Sequence, residues 1–152
     1  MSPEVRRPST LADALDALAE GPWALIFGGQ EALDLLDPPP HRALLLQEVA
    51  ALHAVDDLDG ALSLGTMTPC DTLARHPEPL LAPLLHALTQ TPDAPLGARA
   101  LNPDDPLHPL LLDLHAEVTL ASALGLRTLP LAQLPAEPDE LPLRLNLPRP
   151  DR

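Results

Sequence analysis

The residues best suited to chemistry are Gly28 and Gly29. They stand between the apolar run Trp23-Ala24-Leu25-Ile26-Phe27 and a short helical stretch opening with Gln30, Glu31 and Ala32. Two glycines at such a junction let the backbone approach a ligand closely, and the N–H groups that open the next turn suit a phosphate. The same pattern serves a tight strand-to-helix turn with nothing bound, and a lone Gly-Gly does not choose between the two. Other groupings carry less. Asp56, Asp57 and Asp59 resemble part of a calcium loop, but no Glu stands at the twelfth position, and Asp57-Leu58-Asp59-Gly60 reads as a hairpin turn. His108 and His115 share a helical face without a third ligand, which makes a poor metal site. Cys70 is the single cysteine, so there is no internal disulfide and no thiolate cluster. No Ser-His-Asp spacing supports nucleophilic catalysis. Neither a catalytic residue nor a metal site is expected.

The elements that must position the glycines follow from composition and periodicity. The chain has 152 residues, 21 of them Pro and, by count, 37 Leu, with one Trp, one Phe and no Tyr. At 45 % hydrophobic residues it has the apolar surface to build a core, so the Pro content does not imply disorder. The formal charge is −13, and every basic residue is Arg. Such a chain lacks the phosphate-neutralising patch of a nucleic-acid binder and is repelled by an anionic membrane surface. No apolar run is long enough to span a bilayer and no leader pattern opens the chain, so a cytoplasmic protein without membrane insertion is expected. Residues 8–21 read as a helix capped near Ser9-Thr10, with Leu11, Ala14, Leu15 and Leu18 on one face. Residues 23–27 read as a buried strand at the centre of a core, and 30–36 as a short helix that the prolines of 37–40 break. A second buried strand is expected at 43–46 and a helical turn at 49–52. Strands at 53–57 and 61–65 form a hairpin, and 70–76 and 78–90 are helical. Residues 91–106 read as loop and 107–114 as helix. A hairpin over 117–121 and 126–131 turns at Gly125, and 141–147 alternates as a half-buried strand. The expected class is α+β: a small α/β lobe over 1–53 and a mixed-sheet lobe over 54–148 within one domain, with any ligand in the cleft between them.

The order of these pieces resembles a known family. Arg7-Pro8-Ser9-Thr10-Leu11-Ala12-Asp13-Ala14-Leu15, then the strand, then Gly28-Gly29-Gln30, resembles the start of the FAD-binding subunit of the molybdenum hydroxylases, the carbon monoxide dehydrogenase and xanthine dehydrogenase type. Leu64-Gly65-Thr66-Met67-Thr68 is similar to that family's Ile-Gly-Ala-x-Thr segment. Asp105-Pro106-Leu107 and Leu110 to Val118 are similar to its Ser-Asp-Leu and "ALLALDAEV" stretch, and Gly125 to Leu131 to its Gly-x-Arg-x-Val-Pro hairpin. The resemblance covers about residues 7–148. It implies a two-lobed FAD-binding domain of the molybdopterin-dehydrogenase type, without the further C-terminal domain in which family members usually continue. It also implies an electron-transfer subunit that works beside a molybdenum-cofactor large subunit and an iron–sulfur small subunit. The cofactor positions it implies are Phe27, Gly28, Gly29, Gln30, Glu31 and Ala32 in the first loop, Thr66, Gly97, Ala98 and Arg99 in the second region, and Asp105 at the ribityl or ribose hydroxyls.

The departures from the family are specific. Its second flavin loop usually reads Thr-Ile-Gly-Gly-Asn; here the region is Pro95-Leu96-Gly97-Ala98-Arg99, so Gly97 remains and Ala98 and Arg99 replace the next two positions. Ala at the second glycine requires a negative φ. Glu31 stands where the family often has a small polar residue. A carboxylate there suits a vacant helix start and repels a pyrophosphate. Arg99 is expected to offset it by pairing with Glu31 or with phosphate. The alternative implied by these changes is a flavin-free structural or assembly subunit of the same kind of complex.

Overall fold

The computed structural model describes residues 4–36, 38, 40–57, 60–76, 79–134 and 139–148. Parts of the expected breaks at 37–40 and 57–60, and Pro77, lie outside these. The fold is α+β and contains two sheets. The first is parallel: β1 (Glu4–Arg6) and β2 (Ala24–Ile26) flank β3 (Arg42–Leu45). Helix α1 (Leu11–Ala19) connects β1 to β2, and the five-residue α2 (Gln30–Asp34) precedes β3. Thr10 caps α1 as expected: its hydroxyl accepts from the Asp13 N–H at 3.1 Å.

The aromatic run does not form the central strand. β2 is an edge strand, and β3, with three consecutive buried residues, takes the centre. The Trp23 indole sits at the side of the sheet, where its N–H donates to the Ala17 carbonyl at 2.9 Å. The Arg42 guanidinium lies 3.9 Å from the ring centroid, a cation–π contact that lets a large aromatic terminate a sheet. β1 carries one apolar residue and no sequence signal. It exists because β3 offers it a parallel edge and because Glu4 and Arg6 find ion-pair partners in Arg42 and Glu20.

The second sheet runs β4 (Val55–Asp57), β5 (Ala61–Gly65), β8 (Leu141–Pro148), β6 (Glu117–Ser122), β7 (Gly125–Pro130). It is antiparallel throughout rather than mixed, because β4–β5 and β6–β7 are hairpins and β8 returns between them. Helices α3 (Cys70–Ala74), α4 (Leu85–Gln90), α5 (Leu96–Ala100) and α6 (Leu107–Asp113) join this sheet in one Leu-rich core. The stretch expected as helix before α4 is instead a 3₁₀ segment, Pro79–Leu84, with Pro83 inside it. α5 lies within the expected loop. A five-residue helix containing Gly has little intrinsic signal; Leu96, Arg99 and Ala100 hold it by burial.

The two sheets share apolar packing. Ala14, Ala17 and Leu18 of α1 and Leu44 of β3 cluster with Ala121, Leu141 and Leu143 of the second sheet. Among the described residues no helix is long and apolar enough to cross a membrane.

Candidate functional site

The first loop runs from the end of β2 into α2. Neither Gly28 nor Gly29 has a positive φ. Their value is room: a Cβ on Gly28 would stand 2.8 Å from the Ala32 Cβ, and one on Gly29 would stand 2.0 Å from Gln47 Oε1. The Gly28 N–H donates to the Ile26 carbonyl at 2.9 Å, and the Ala32 and Leu33 N–H groups donate to the Gly29 carbonyl at 3.1 and 3.3 Å. The N–H groups of the opening turn, at Gln30 and Glu31, are those a helix leaves without intrahelical partners. The Glu31 side chain is exposed, so its carboxylate is free to turn to water. Arg7 reaches this loop, with Nη2 2.6 Å from Gln30 Oε1, and Gln30 in turn donates to Asp34 Oδ1 at 2.9 Å. A cation beside the loop is thus present. Nothing in the local pattern around Arg7 signals that it folds back onto Gln30. Gln47 had no signal either, since the pairing of β3 with β2 brings it to Gly29.

The second region meets the first through Phe27. A Cβ on Gly97 would lie 2.8 and 2.9 Å from two carbons of the Phe27 ring and 2.9 Å from the Thr66 carbonyl oxygen. The N-terminus of α5 docks on the turn after β5: the Gly97 N–H donates to the Thr66 carbonyl at 2.6 Å and the Leu96 N–H to the Thr68 carbonyl at 2.8 Å. The buried Thr66 hydroxyl donates to the Pro142 carbonyl at 2.9 Å, so it anchors β8 and is not open to a ligand. Ala98 is exposed and lies in α5 with a negative φ, which meets the condition for Ala at a glycine position.

Arg99 does not pair with Glu31. It is buried, 5 % exposed, and forms a two-pronged ion pair with Asp105, Nε to Oδ2 and Nη2 to Oδ1, both at 3.1 Å. Its Nη1 donates to the Ala87 carbonyl at 2.6 Å and lies 3.8 Å from Cys70 Sγ. Asp105 Oδ1 also accepts the Leu107 N–H at 2.9 Å. The pair forms because Arg99 ends a helix whose next turn, 102–105, carries the carboxylate back beneath it. Glu31, on an exposed helix across the groove, offers no such burial. Burial pushes the Asp105 carboxyl up, but the Arg99 and Leu107 hydrogen bonds outweigh it and hold the group below its ordinary range. Burial pushes the Cys70 thiol up, against the pull of Arg99, so it is poorly ionised.

Between the two regions runs a groove of about 320 Å³ lined by Leu25, Phe27, Ala32, Gly97, Leu101 and Asn102 among others. A larger pocket of about 580 Å³, lined by Leu101, Pro103, His108, Leu131, Leu134 and Pro142 among others, shares Leu101 with it. Its walls are apolar except for His108, whose Nδ1 is 2.7 Å from the Ala100 carbonyl and so carries the proton there. Small-molecule sites span about 300–1,000 Å³ and are mostly apolar with a few placed polar groups. These two concavities, which share Leu101 in their linings, meet that description. Among the described residues no group of three or more His, Cys, Asp or Glu is placed to hold a metal.

No protein-family model and no curated protein matches the sequence. Solved structures do. Quinoline 2-oxidoreductase from Pseudomonas putida 86 is similar over 99 % of this chain, with a TM-score of 0.84 and 24 % identity. Reconstituted CO dehydrogenase from Oligotropha carboxidovorans is similar over 99 %, with a TM-score of 0.79 and 22 % identity. Carbon monoxide dehydrogenase from Hydrogenophaga pseudoflava, in a form lacking the Mo-pyranopterin moiety of the molybdenum cofactor, is similar over 97 %, with a TM-score of 0.79 and 19 % identity. At these identities the likeness establishes the fold. The chain spans about 60 % of the length of each matched chain.

Proposed function

We propose that this chain is a flavin-binding electron-transfer subunit of a molybdenum hydroxylase-type oxidoreductase. In this reading FAD is its cofactor and its partners are a molybdenum-cofactor large subunit and an iron–sulfur small subunit. The observation that carries the reading is a pair of concavities that share Leu101 in their linings: a groove edged by Phe27, the residue before Gly28-Gly29, and a larger apolar pocket. A flat apolar ring suits the larger pocket, and a groove beside a glycine turn suits the rest of an extended ligand. The fold, shared with chains of quinoline 2-oxidoreductase and CO dehydrogenase, agrees with it.

The residues fit the group unevenly. The first loop fits better: the N–H groups of Gln30 and Glu31 would face a phosphate with Arg7 beside them as counter-charge, while Gln47 Oε1 lies against Gly29. Leu101, Pro103, Leu131, Leu134 and Pro142 would exclude water from a ring, and the His108 Nε2, freed as an acceptor by its Nδ1 bond to Ala100, would orient one ring N–H. When bound, the flavin supplies the passage of electrons between a partner's iron–sulfur centres and an acceptor, and the protein's work is binding and orientation. The second loop fits poorly, and this favours a second reading, a flavin-free structural subunit: Phe27 covers Gly97 and Asp105 already holds Arg99.

Purification with the partner chains separates the two. The first reading expects a yellow complex with flavin absorbance, and a rise in flavin retention in the variant Glu31→Ser, which removes a like charge beside the phosphate. A colourless, flavin-free complex with full activity would overturn it and leave the structural reading.

A further inference from the structure

The larger pocket, of about 580 Å³, has walls of Leu, Pro and Ala side chains and no Arg among its lining residues. Pro103 and Pro142 line it without a backbone N–H to offer. The N–H groups of Leu101, Leu131 and Leu134 are already spent on the Gly97, Ala116 and Leu131 carbonyls, and the Pro142 carbonyl accepts the Thr66 hydroxyl. An anion placed there would lose its water and meet no cation in return, whereas a neutral apolar group loses little. Among the described lining residues the one polar side chain is His108. Its Nδ1 donates to the Ala100 carbonyl at 2.7 Å, which leaves Nε2 of the neutral imidazole as an acceptor. Among the described residues no group donates to it.

These walls and this one acceptor define what the pocket can distinguish. Apolar walls favour any neutral ring of suitable size and discriminate weakly among them. A polar group of the site that a ligand covers without pairing discriminates strongly, because its lost hydration is not replaced. We infer that this pocket recognises a neutral, largely apolar ring by itself, without the sugar or phosphate attached to that ring, and that His108 Nε2 restricts it to rings that donate an N–H. The inference rests on the flavin reading above, in which the flavin ring occupies this pocket, and specifies what that site recognises.

Titration of the full chain, alone and with its partner chains, with lumiflavin, 3-methyllumiflavin and FAD tests it, followed by ring fluorescence. Lumiflavin is the ring without sugar or phosphate, and its one N–H is methylated in 3-methyllumiflavin. The expected result is a lumiflavin Kd no more than tenfold above that of FAD, with 3-methyllumiflavin at least tenfold weaker than lumiflavin. In His108→Phe, which keeps a ring and removes the acceptor, the two lumiflavins should differ by less than threefold. FAD binding more than tenfold tighter than lumiflavin would overturn the inference and leave the flavin reading in place. So would equal binding of the two lumiflavins by the unmodified chain, a comparison that stands whatever His108→Phe does to folding. A tenfold preference that persists in a folded His108→Phe chain would overturn the role of His108. Lumiflavin bound and FAD not bound would keep the inference and overturn the FAD reading. No binding of any of the three, by the chain or by its complex, overturns both.

Discussion

Arg99 shows how a residue can stand at the right place in a sequence and face the wrong way for its expected role. Its guanidinium lies in the core with its hydrogen bonds directed to Asp105, Cys70 and the Ala87 carbonyl. Replacing it by Met leaves the Asp105 carboxylate largely buried without its partner, a class of change that costs about 3 kcal/mol. For a chain of this size that corresponds to a fall in Tm of roughly 6–12 °C, which thermal unfolding at neutral pH measures. The same pair predicts a pH dependence. The folded-state pKa of Asp105 is depressed, so the pair contributes stability that is present above the unfolded carboxyl value of about 3.9 and is lost as pH falls through the lower folded value. Asp105→Asn is therefore expected to lower stability at pH 7 and to flatten the loss on acidification below about pH 4. An unchanged acid limb, read by urea midpoints across pH, would count against that assignment.

At the scale of elements, the two regions that could hold a ligand are set by close approaches that a glycine permits. Gly97 has an ordinary backbone; what it lacks is a Cβ, which would sit 2.8–2.9 Å from the Phe27 ring and the Thr66 carbonyl. Gly97→Ala is expected to cost about 1–3 kcal/mol as an overpacking change. Phe27→Ala in the same chain removes the ring contacts and leaves the Thr66 carbonyl contact, so the double variant should be more stable than the sum of the single losses without full recovery, by a coupling of about 0.5–3 kcal/mol. Additive losses in a denaturant cycle would mean that the ring does not set the glycine requirement. This contact also marks the limit of what the sequence tells. Gly28-Gly29 could be placed on a strand-to-helix turn because a continuous apolar run leads into it and a short helical stretch broken by prolines follows. The capped α1, the β6–β7 hairpin at Gly125 and the alternation of β8 are legible from helical spacing, a turn glycine and a period of two. β1, α5 and the Arg99–Asp105 pair were not. Three residues of strand and five of helix carry little local preference, and a pair between Arg99 and Asp105 is decided by how a turn folds back, which only the assembled core dictates.

For the whole molecule, the question is whether two sheets mean two independent bodies. The first sheet has strands of three, three and four residues, too short to be stable alone. Its remaining apolar face is covered by Ala121, Leu141 and Leu143 of the second sheet, packed on Ala14, Ala17, Leu18 and Leu44. Burial shared in this way couples the halves, because loosening either one exposes apolar surface on both. The groove also draws its walls from both: Leu25, Ile26 and Phe27 from the first half, Gly97, Ala98 and Leu101 from the second. A single calorimetric transition is therefore expected, with calorimetric and van't Hoff enthalpies equal, and residues 1–53 made alone should show no cooperative unfolding. A ligand in the groove binds the folded state of both halves at once. On the proposed flavin reading, flavin at 100 times its Kd would add about 2.7 kcal/mol to folding by mass action, or roughly 5–11 °C at 2–4 °C per kcal/mol. The expected trace is one peak that moves intact with flavin concentration. Two peaks of which only one moves would show that the site belongs to one half, and the division of the chain near residue 53 would then be a boundary between separately folding units rather than a seam within one.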